Sequence, residues 1–119
     1  MRSMPAMIAL VALALSLGAR AETSPQEAKQ IFDQMCAGCH GFQGDGGEGH
    51  RGGFSPHIGT LANKSYMASV PDEYLAMIIK KGGAAMGKIA TMPAWEHKLN
   101  DEQVDALVRH IRSFAPSDH

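Results

Sequence analysis

The chain has 119 residues, a formal net charge of −1 at pH 7 and hydrophobic residues at 45% of its positions. This length suffices for one small domain, and the near balance of 11 basic and 12 acidic residues gives no basic tail that would indicate a nucleic-acid partner. A domain of this size buries a small core and commonly depends on disulfides, a metal or a cofactor for its stability. Its cysteines are therefore the first residues to interpret.

The first 21 residues have the organisation of a signal peptide. Arg2 supplies a positive charge, residues 7–17 (MIALVALALSL) form an apolar run, and residues 19–21 (ARA) follow the small-x-small pattern of a cleavage site. The run is shorter than the roughly 20 residues that a membrane-spanning helix needs. We expect cleavage after Ala21, export, and a mature domain over residues 22–119 with no transmembrane segment; the alternative is an uncleaved N-terminal anchor.

Two capping boxes predict the first and last helices of this domain. The first begins at SPQE (residues 24–27), where a serine caps, a proline takes the first helical position and a glutamate completes the box. The last begins with Asn100 and Gln103, and Pro116 is expected to stop it. Each helix carries an apolar stripe at helical spacing, so we predict that the two pack on each other. The stripes are Ala28, Ile31, Phe32 and Met35 in the first helix and Val104, Leu107, Val108 and Ile111 in the last.

The middle of the chain predicts shorter helices separated by loops. A short helix is expected from Asn63 to Ser69, followed by another for which Ser69 and Asp72 look like a capping signal. Leu75, Ile78 and Ile79 form the stripe of that second helix, which the glycines at 82 and 83 end. Residues 41–59 are glycine-rich and residues 82–99 have no periodicity, so both are predicted to be loops. No strand-like alternation occurs, and the fold class is therefore all-α, with three to four helices.

The only two cysteines lie in the segment CAGCH, as Cys36 and Cys39 followed by His40. Thiols at positions i and i+3 lie on one side of a helical turn and can add to the two vinyl groups of one porphyrin. The next residue then places its imidazole beneath the iron. This CxxCH spacing predicts one covalently attached haem c.

Three other interpretations of the two cysteines remain open. A disulfide between them is possible after export, although it would close a very small loop and stabilise little. A thioredoxin-like redox pair usually sits in a βαβ unit, and no strands are predicted. A zinc site would need two further ligands, for which His50 and His57 in the glycine-rich loop are candidates.

The mature chain resembles the single-haem, His/Met-ligated c-type cytochromes (the class I cytochrome c family). CAGCH lies near the start of the mature chain, the segment MPAW (Met92 to Trp95) lies downstream, and a helix closes the chain. The resemblance covers nearly all of residues 22–119. It implies a small cytochrome c fold, three to four helices and long loops around one haem, and an electron carrier with no enzymatic activity.

The same resemblance implies roles for four further residues. Met92 is expected to join His40 as the second axial ligand of the iron, with Pro93 stiffening its approach. Pro56 is expected to accept, through its carbonyl, the other ring N–H of the ligating histidine. Trp95 is expected either to donate to a haem propionate or to pack on the porphyrin.

Other residues compete for the second axial position. Met86 is the rival methionine, and His50 or His57 would give a bis-histidine site. Met35 and Met77 are interpreted as core residues, whereas Met67 is expected to line the haem pocket without ligating. The remaining histidines, His97, His110 and His119, are interpreted as surface residues.

We therefore expect an exported, periplasmic and monomeric cytochrome that shuttles single electrons between redox proteins such as a dehydrogenase, an oxidase or another cytochrome. The alternatives are a cytochrome subunit held by a dehydrogenase or oxidase complex, or a ligand-binding haem sensor. Four lysines cluster around the Met92 loop and form either a basic rim that steers an acidic partner or an ordinary solvated surface: Lys80, Lys81, Lys88 and Lys98.

Overall fold

A computed structural model describes residues 22–46, 61–88 and 90–116 of the chain. The expected signal peptide, Pro56, the two candidate zinc histidines, His119 and most of the glycine-rich segment lie outside the described residues. The described residues form five α-helices and no strand, which confirms the all-α class. They are α1 (Pro25–Met35), α2 (Ala37–His40), α3 (Lys64–Ser69), α4 (Asp72–Lys81) and α5 (Asp101–Arg112), with a 3₁₀ turn over Ala84–Met86.

Both predicted capping boxes are present. The Ser24 hydroxyl accepts from the backbone N–H of Glu27 at 3.1 Å, and the Glu27 carboxylate accepts from the Ser24 N–H at 2.8 Å. The Asn100 side chain accepts from the Gln103 N–H at 2.8 Å, and the Gln103 side chain accepts from the Asn100 N–H at 2.9 Å. Each box satisfies two N–H groups that a helix N-terminus otherwise leaves without partners.

The core lies where α1 packs against α5, as the two stripes predict. Phe32 from α1 and both Val104 and Leu107 from α5 are fully buried, at 0% exposure. Short amphipathic helices are marginal alone and gain their stability from such packing. The two ends of the domain therefore stabilise each other.

His110 belongs to this contact, so its interpretation as a surface residue is wrong. Its ring centroid lies 5.1 Å from that of Phe32 and 5.0 Å from that of Phe114. The physical reason is helical spacing: His110 follows Leu107 by three positions and shares its inward face. Burial lowers the pKa of the imidazole because it disfavours the charged form. His97, in contrast, is exposed as expected.

The two middle helices lie close to their predicted positions, with one correction. Asn63 caps α3 by accepting from the Tyr66 N–H at 3.0 Å. Ser69 does not cap α4, because its hydroxyl donates to the Tyr66 carbonyl at 2.6 Å within α3; the cap position of α4 is taken by Pro71, without a side-chain bond. The last helix, α5, also ends earlier than expected. It stops at Arg112, four residues before Pro116.

Arg112 joins the end of α5 to the connection between α3 and α4. Its Nε donates to the Asp72 carboxylate at 2.8 Å. Its two terminal nitrogens donate to the backbone carbonyls of Met67 and Val70, the latter at 2.6 Å. One planar guanidinium thus binds three acceptors from one short stretch of chain. In the parts of the chain described above, no helix has the length and apolar character needed to cross a bilayer.

Leu107 tests the packing of the two terminal helices. Replacing it with Ala should lower the free energy of unfolding of the haem-bound protein by about 2–4 kcal/mol, because the side chain is fully buried and a cavity remains. Arg109→Ala, on the exposed face of the same helix, should change it by no more than about 0.5 kcal/mol. Denaturant unfolding measures both. Equal costs for the two variants would show that α5 does not pack as described.

Candidate functional site

The CAGCH segment forms a single helical turn that continues from α1. The Cys36 N–H donates to the Phe32 carbonyl at 2.8 Å, and the Cys36 carbonyl accepts from the N–H groups of Cys39 at 3.1 Å and His40 at 2.9 Å. The turn ends at Gly41, whose N–H donates to the Ala37 carbonyl. This turn holds both thiols and the imidazole close together through backbone hydrogen bonds alone.

Burial shifts the pKa values of two side chains in this turn, Cys36 and His40. Both cysteines are free, and burial, with a contribution from Cys39, raises the pKa of the Cys36 thiol to about 11, so it is a neutral thiol at pH 7. Burial also lowers the pKa of His40, which favours the neutral imidazole that binds a metal. The Nδ1 atom of His40 is buried and has no hydrogen-bond partner among the described residues.

The Met92 segment is bound along the C-terminal end of α4. The Met92 carbonyl accepts from the Gly83 N–H at 3.0 Å, and the Trp95 N–H donates to the Ile79 carbonyl at 3.0 Å. An ion pair of 2.8 Å between Lys81 and Glu96 adds a side-chain contact. A stretch without periodicity in the sequence thus has a defined path, because α4 provides its hydrogen-bond partners.

Gly82 makes this close approach possible. Its φ of +82° lies in the region that side-chain-bearing residues rarely adopt, and a Cβ atom placed on it would lie 2.9 Å from the Met92 carbonyl oxygen. Gly82 therefore has two roles, because it ends α4 and also allows the Met92 segment to lie close to that helix.

A cavity of about 600 Å³ opens between these elements, and most of its lining is apolar. Its volume is within the usual range for cofactor pockets. Of the predicted site residues within the described ranges, all line this one cavity: Cys36, Cys39, His40, Met92 and Trp95.

The methionines of the described residues differ in whether they line this cavity. Met35, interpreted as a core residue, lines the cavity, as Met92 does. Met86, the rival for the axial position, is not among the lining residues. Met67 was expected at the pocket, but it is buried in the core at 2% exposure, and Met77 is 43% exposed instead of packed in the core. Helical spacing alone does not determine which of these side chains lines the cavity, is buried in the core or is exposed.

The competing interpretations of the cysteines find no support in the described residues. The thiols do not form a disulfide, no strand accompanies them, and no group of three or more His, Cys, Asp and Glu side chains could hold a metal ion. The two histidines proposed for a zinc site lie outside these residues.

Sequence reasoning missed three polar residues that line the cavity, Tyr66, Tyr74 and Thr91. Burial raises the pKa of the Tyr66 hydroxyl, and a hydrogen bond with Tyr74 contributes. The available signal was the spacing of Tyr74 and Ile78, four residues apart on α4, which widens the apolar stripe of that helix toward the cavity.

The lysines around the Met92 loop do not form a uniform basic rim. Lys80 lies 2.7 Å from an Asp101 carboxylate oxygen, and Lys81 is paired with Glu96. The Lys98 ammonium lies 5.9 Å from the Trp95 ring centroid, within the range of a cation–π contact. Lys88 alone of the four lines the cavity.

Residues 23–111 match the family model described as cytochrome c oxidase, cbb3-type, subunit III. The chain belongs to this family. The cbb3-type cytochrome c oxidase subunit FixP of Bradyrhizobium diazoefficiens is 29% identical over 88 residues, which make up 74% of this chain and 27% of that protein. The chain therefore spans about a quarter of the length of this relative.

The fold is similar to that of a solved c-type cytochrome, KustC0563. The two share 27% sequence identity with a TM-score of 0.58, and the match covers 74% of this chain and 96% of the other. Family and fold together make this chain a c-type cytochrome, an electron-transfer domain with covalently bound haem c. The cavity fits that cofactor in size and lining, with two free thiols and a neutral imidazole on its wall.

Gly82 tests the close approach of the Met92 segment to α4. Gly82→Ala should be more destabilising than Gly87→Ala in denaturant unfolding. Both positions have positive φ, which costs about 1–2 kcal/mol for a residue with a Cβ, but a Cβ at Gly87 meets nothing within 4 Å whereas one at Gly82 meets the Met92 carbonyl. Equal losses would contradict the described packing.

Proposed function

We propose that this chain transfers single electrons through a haem attached at Cys36 and Cys39, with His40 and Met92 as the two axial ligands of the iron. When bound, the haem supplies the iron centre that accepts and releases the electron. Cys36 and Cys39 would attach the porphyrin, His40 and Met92 would hold the iron, and most of the side chains around them are apolar. An iron held by both residues would have no open site for a substrate.

The observation that carries this proposal is the meeting of two distant segments at one cavity. The CAGCH turn follows α1, whereas Met92 lies more than fifty positions later along the chain, yet both line the same space. A neutral imidazole and a thioether are the ligand pair of cytochromes c, and this pair raises the reduction potential. Met86 lies in the 3₁₀ turn and does not line the cavity, which favours Met92 over it.

We further propose second-sphere roles for Pro56 and Trp95. The buried Nδ1 of His40 has no acceptor among the described residues. The carbonyl of Pro56 would accept a hydrogen bond from its N–H, as in similar cytochromes, and would fix the tautomer of the ring. Trp95 lines the cavity and its backbone is bonded to α4, which supports a contact between its side chain and the haem.

The location that we propose is the periplasm, after cleavage at Ala21. The support is the signal-peptide organisation of residues 1–21, together with the export that covalent haem attachment in such cytochromes implies. Mass spectrometry of the purified protein tests this, since a mature chain would begin at Glu22.

A second candidate function is that of a cytochrome held in an oxidase complex as a subunit. The matched family and the FixP relative favour it, since FixP is named as a subunit of a cbb3-type oxidase. Purification under native conditions separates the candidates. A free carrier elutes as a small monomer and exchanges electrons with added redox proteins, whereas a subunit co-purifies with oxidase subunits.

Replacing both Cys36 and Cys39 with Ala should abolish covalent haem, since no thioether can form. The denatured wild-type protein, expressed with export and a haem-ligation system, should keep its peroxidase stain on a gel, and the double variant should lose it. Gly38→Ala, within the same motif, should keep the stain because a Cβ there meets nothing within 4 Å. Complete extraction of haem from the wild type by acid acetone would contradict the proposal.

Met92→Ala should open the iron. The absorption band near the red edge of the visible spectrum that reports a methionine–iron bond should disappear, the reduction potential should fall, and cyanide or carbon monoxide should bind quickly. Met86→Ala should leave spectrum and potential nearly unchanged, because Met86 does not line the cavity. The reverse pattern would make Met86 the ligand. No spectral change in either variant would indicate histidine or water, and water would favour the haem-sensor alternative.

A further inference from the structure

Lys88 carries a positive charge that the described residues do not balance. The neighbouring Lys80 and Lys81 are each bound to a carboxylate, and Lys98 lies over an aromatic ring. Lys88 makes no hydrogen bond or ion pair through its ammonium with the described residues, although it lines the cavity. Its environment therefore differs from that of the other lysines in this part of the chain.

The backbone holds Lys88 at the cavity wall. Its N–H donates to the Gly83 carbonyl at 2.9 Å, and that same carbonyl accepts from the Met86 N–H at 3.1 Å. Gly87, with a φ of +70°, turns the chain immediately before it. The turn between α4 and the Met92 segment therefore presents this lysine to the cavity through a defined backbone.

The charge of the cavity wall makes Lys88 distinctive. Among the described residues that line the cavity, it is the only lysine or arginine, and none is an aspartate or glutamate. The wall thus carries a net positive charge in a chain whose formal net charge is −1, and a ligand with an exposed carboxylate would match it.

A haem carries two propionate carboxylates, and a carboxylate moved from water against an apolar wall needs a partner. We propose that Lys88 binds a haem propionate at the exposed side of this cavity. This inference rests on the haem site proposed above and assigns a positioning residue to it. The Thr91 hydroxyl, three residues later on the same wall, is a second donor within the same segment.

This ion pair would influence the reduction potential. Reduction adds one negative charge near the propionates, and a nearby cation stabilises the reduced form more than the oxidised form. The same cation favours the ionised propionate over the protonated one. Removing it should therefore lower the potential and raise the pH at which the propionate ionises.

The test compares three variants of the haem-loaded protein: Lys88→Gln, Lys88→Arg and Lys29→Gln. Lys29 carries the same charge, is paired with Asp33 on α1 and does not line the cavity. The readouts are the potential, from a redox titration, and the propionate ionisation, from the pH dependence of the haem methyl resonances in NMR spectra. The other titratable side chains on the described wall are Cys36, Cys39, His40, Tyr66 and Tyr74.

We expect Lys88→Gln to lower the potential and to move the propionate ionisation to higher pH, and Lys88→Arg to restore both toward wild type. Lys29→Gln should change neither. If Lys88→Gln changes the potential no more than Lys29→Gln does, the inference is wrong. A lower potential with an unmoved propionate ionisation would also overturn it, since the charge would then act only through space. Covalent haem, measured on the same samples by peroxidase staining, separates these failures from failure of the haem site itself.

Discussion

The packing of Phe32 against α5 is the contact on which the haem site depends. Phe32 is fully buried between the two terminal helices, and its carbonyl accepts the N–H of Cys36, where α1 passes into the CAGCH turn. The position of the cysteines and of His40 thus follows from a helix crossing that joins the two ends of the domain. A small domain gains its stability from few such contacts. The packing of Phe32 therefore supports both the fold and the site.

The opposite part of the site depends on α4. This helix presents Tyr74 and Ile78 to the cavity and buries Leu75 and Ile79 in the core. The Ile79 and Lys80 carbonyls near its end accept from the N–H groups of Trp95 and Glu96, and the Gly83 N–H just after it donates to the Met92 carbonyl. The segment from Met92 to Glu96 has no regular structure of its own. Arg112 connects α5 to the start of α4. The two walls are therefore linked through α5, and the cavity has a defined shape although long loops contribute to it.

Several sequence-based predictions are wrong, for two different physical reasons. Ser69, His110 and Met77 each fit a local pattern, but their environments are set by residues far along the chain or by a competing local bond. The hydroxyl of Ser69 is used by the preceding helix. His110 meets Phe32 and Phe114, and Met77 faces solvent because the core is filled by other residues of α4. Periodicity reports which residues share a helix face, but not how wide the buried part of that face is.

The sequence alone determined the all-α class, the two capping boxes, the helix stripes and the CAGCH turn, because each depends on groups within about four positions of one another. It also indicated the haem, since two thiols and a histidine at this spacing have few other uses. Only the tertiary structure decided that Met92 and not Met86 lies at the cavity, and that Lys88 is the lysine that lines its described wall. Those outcomes depend on how α4, α5 and the Met92 segment pack, and packing between distant segments leaves no periodic signal in the sequence.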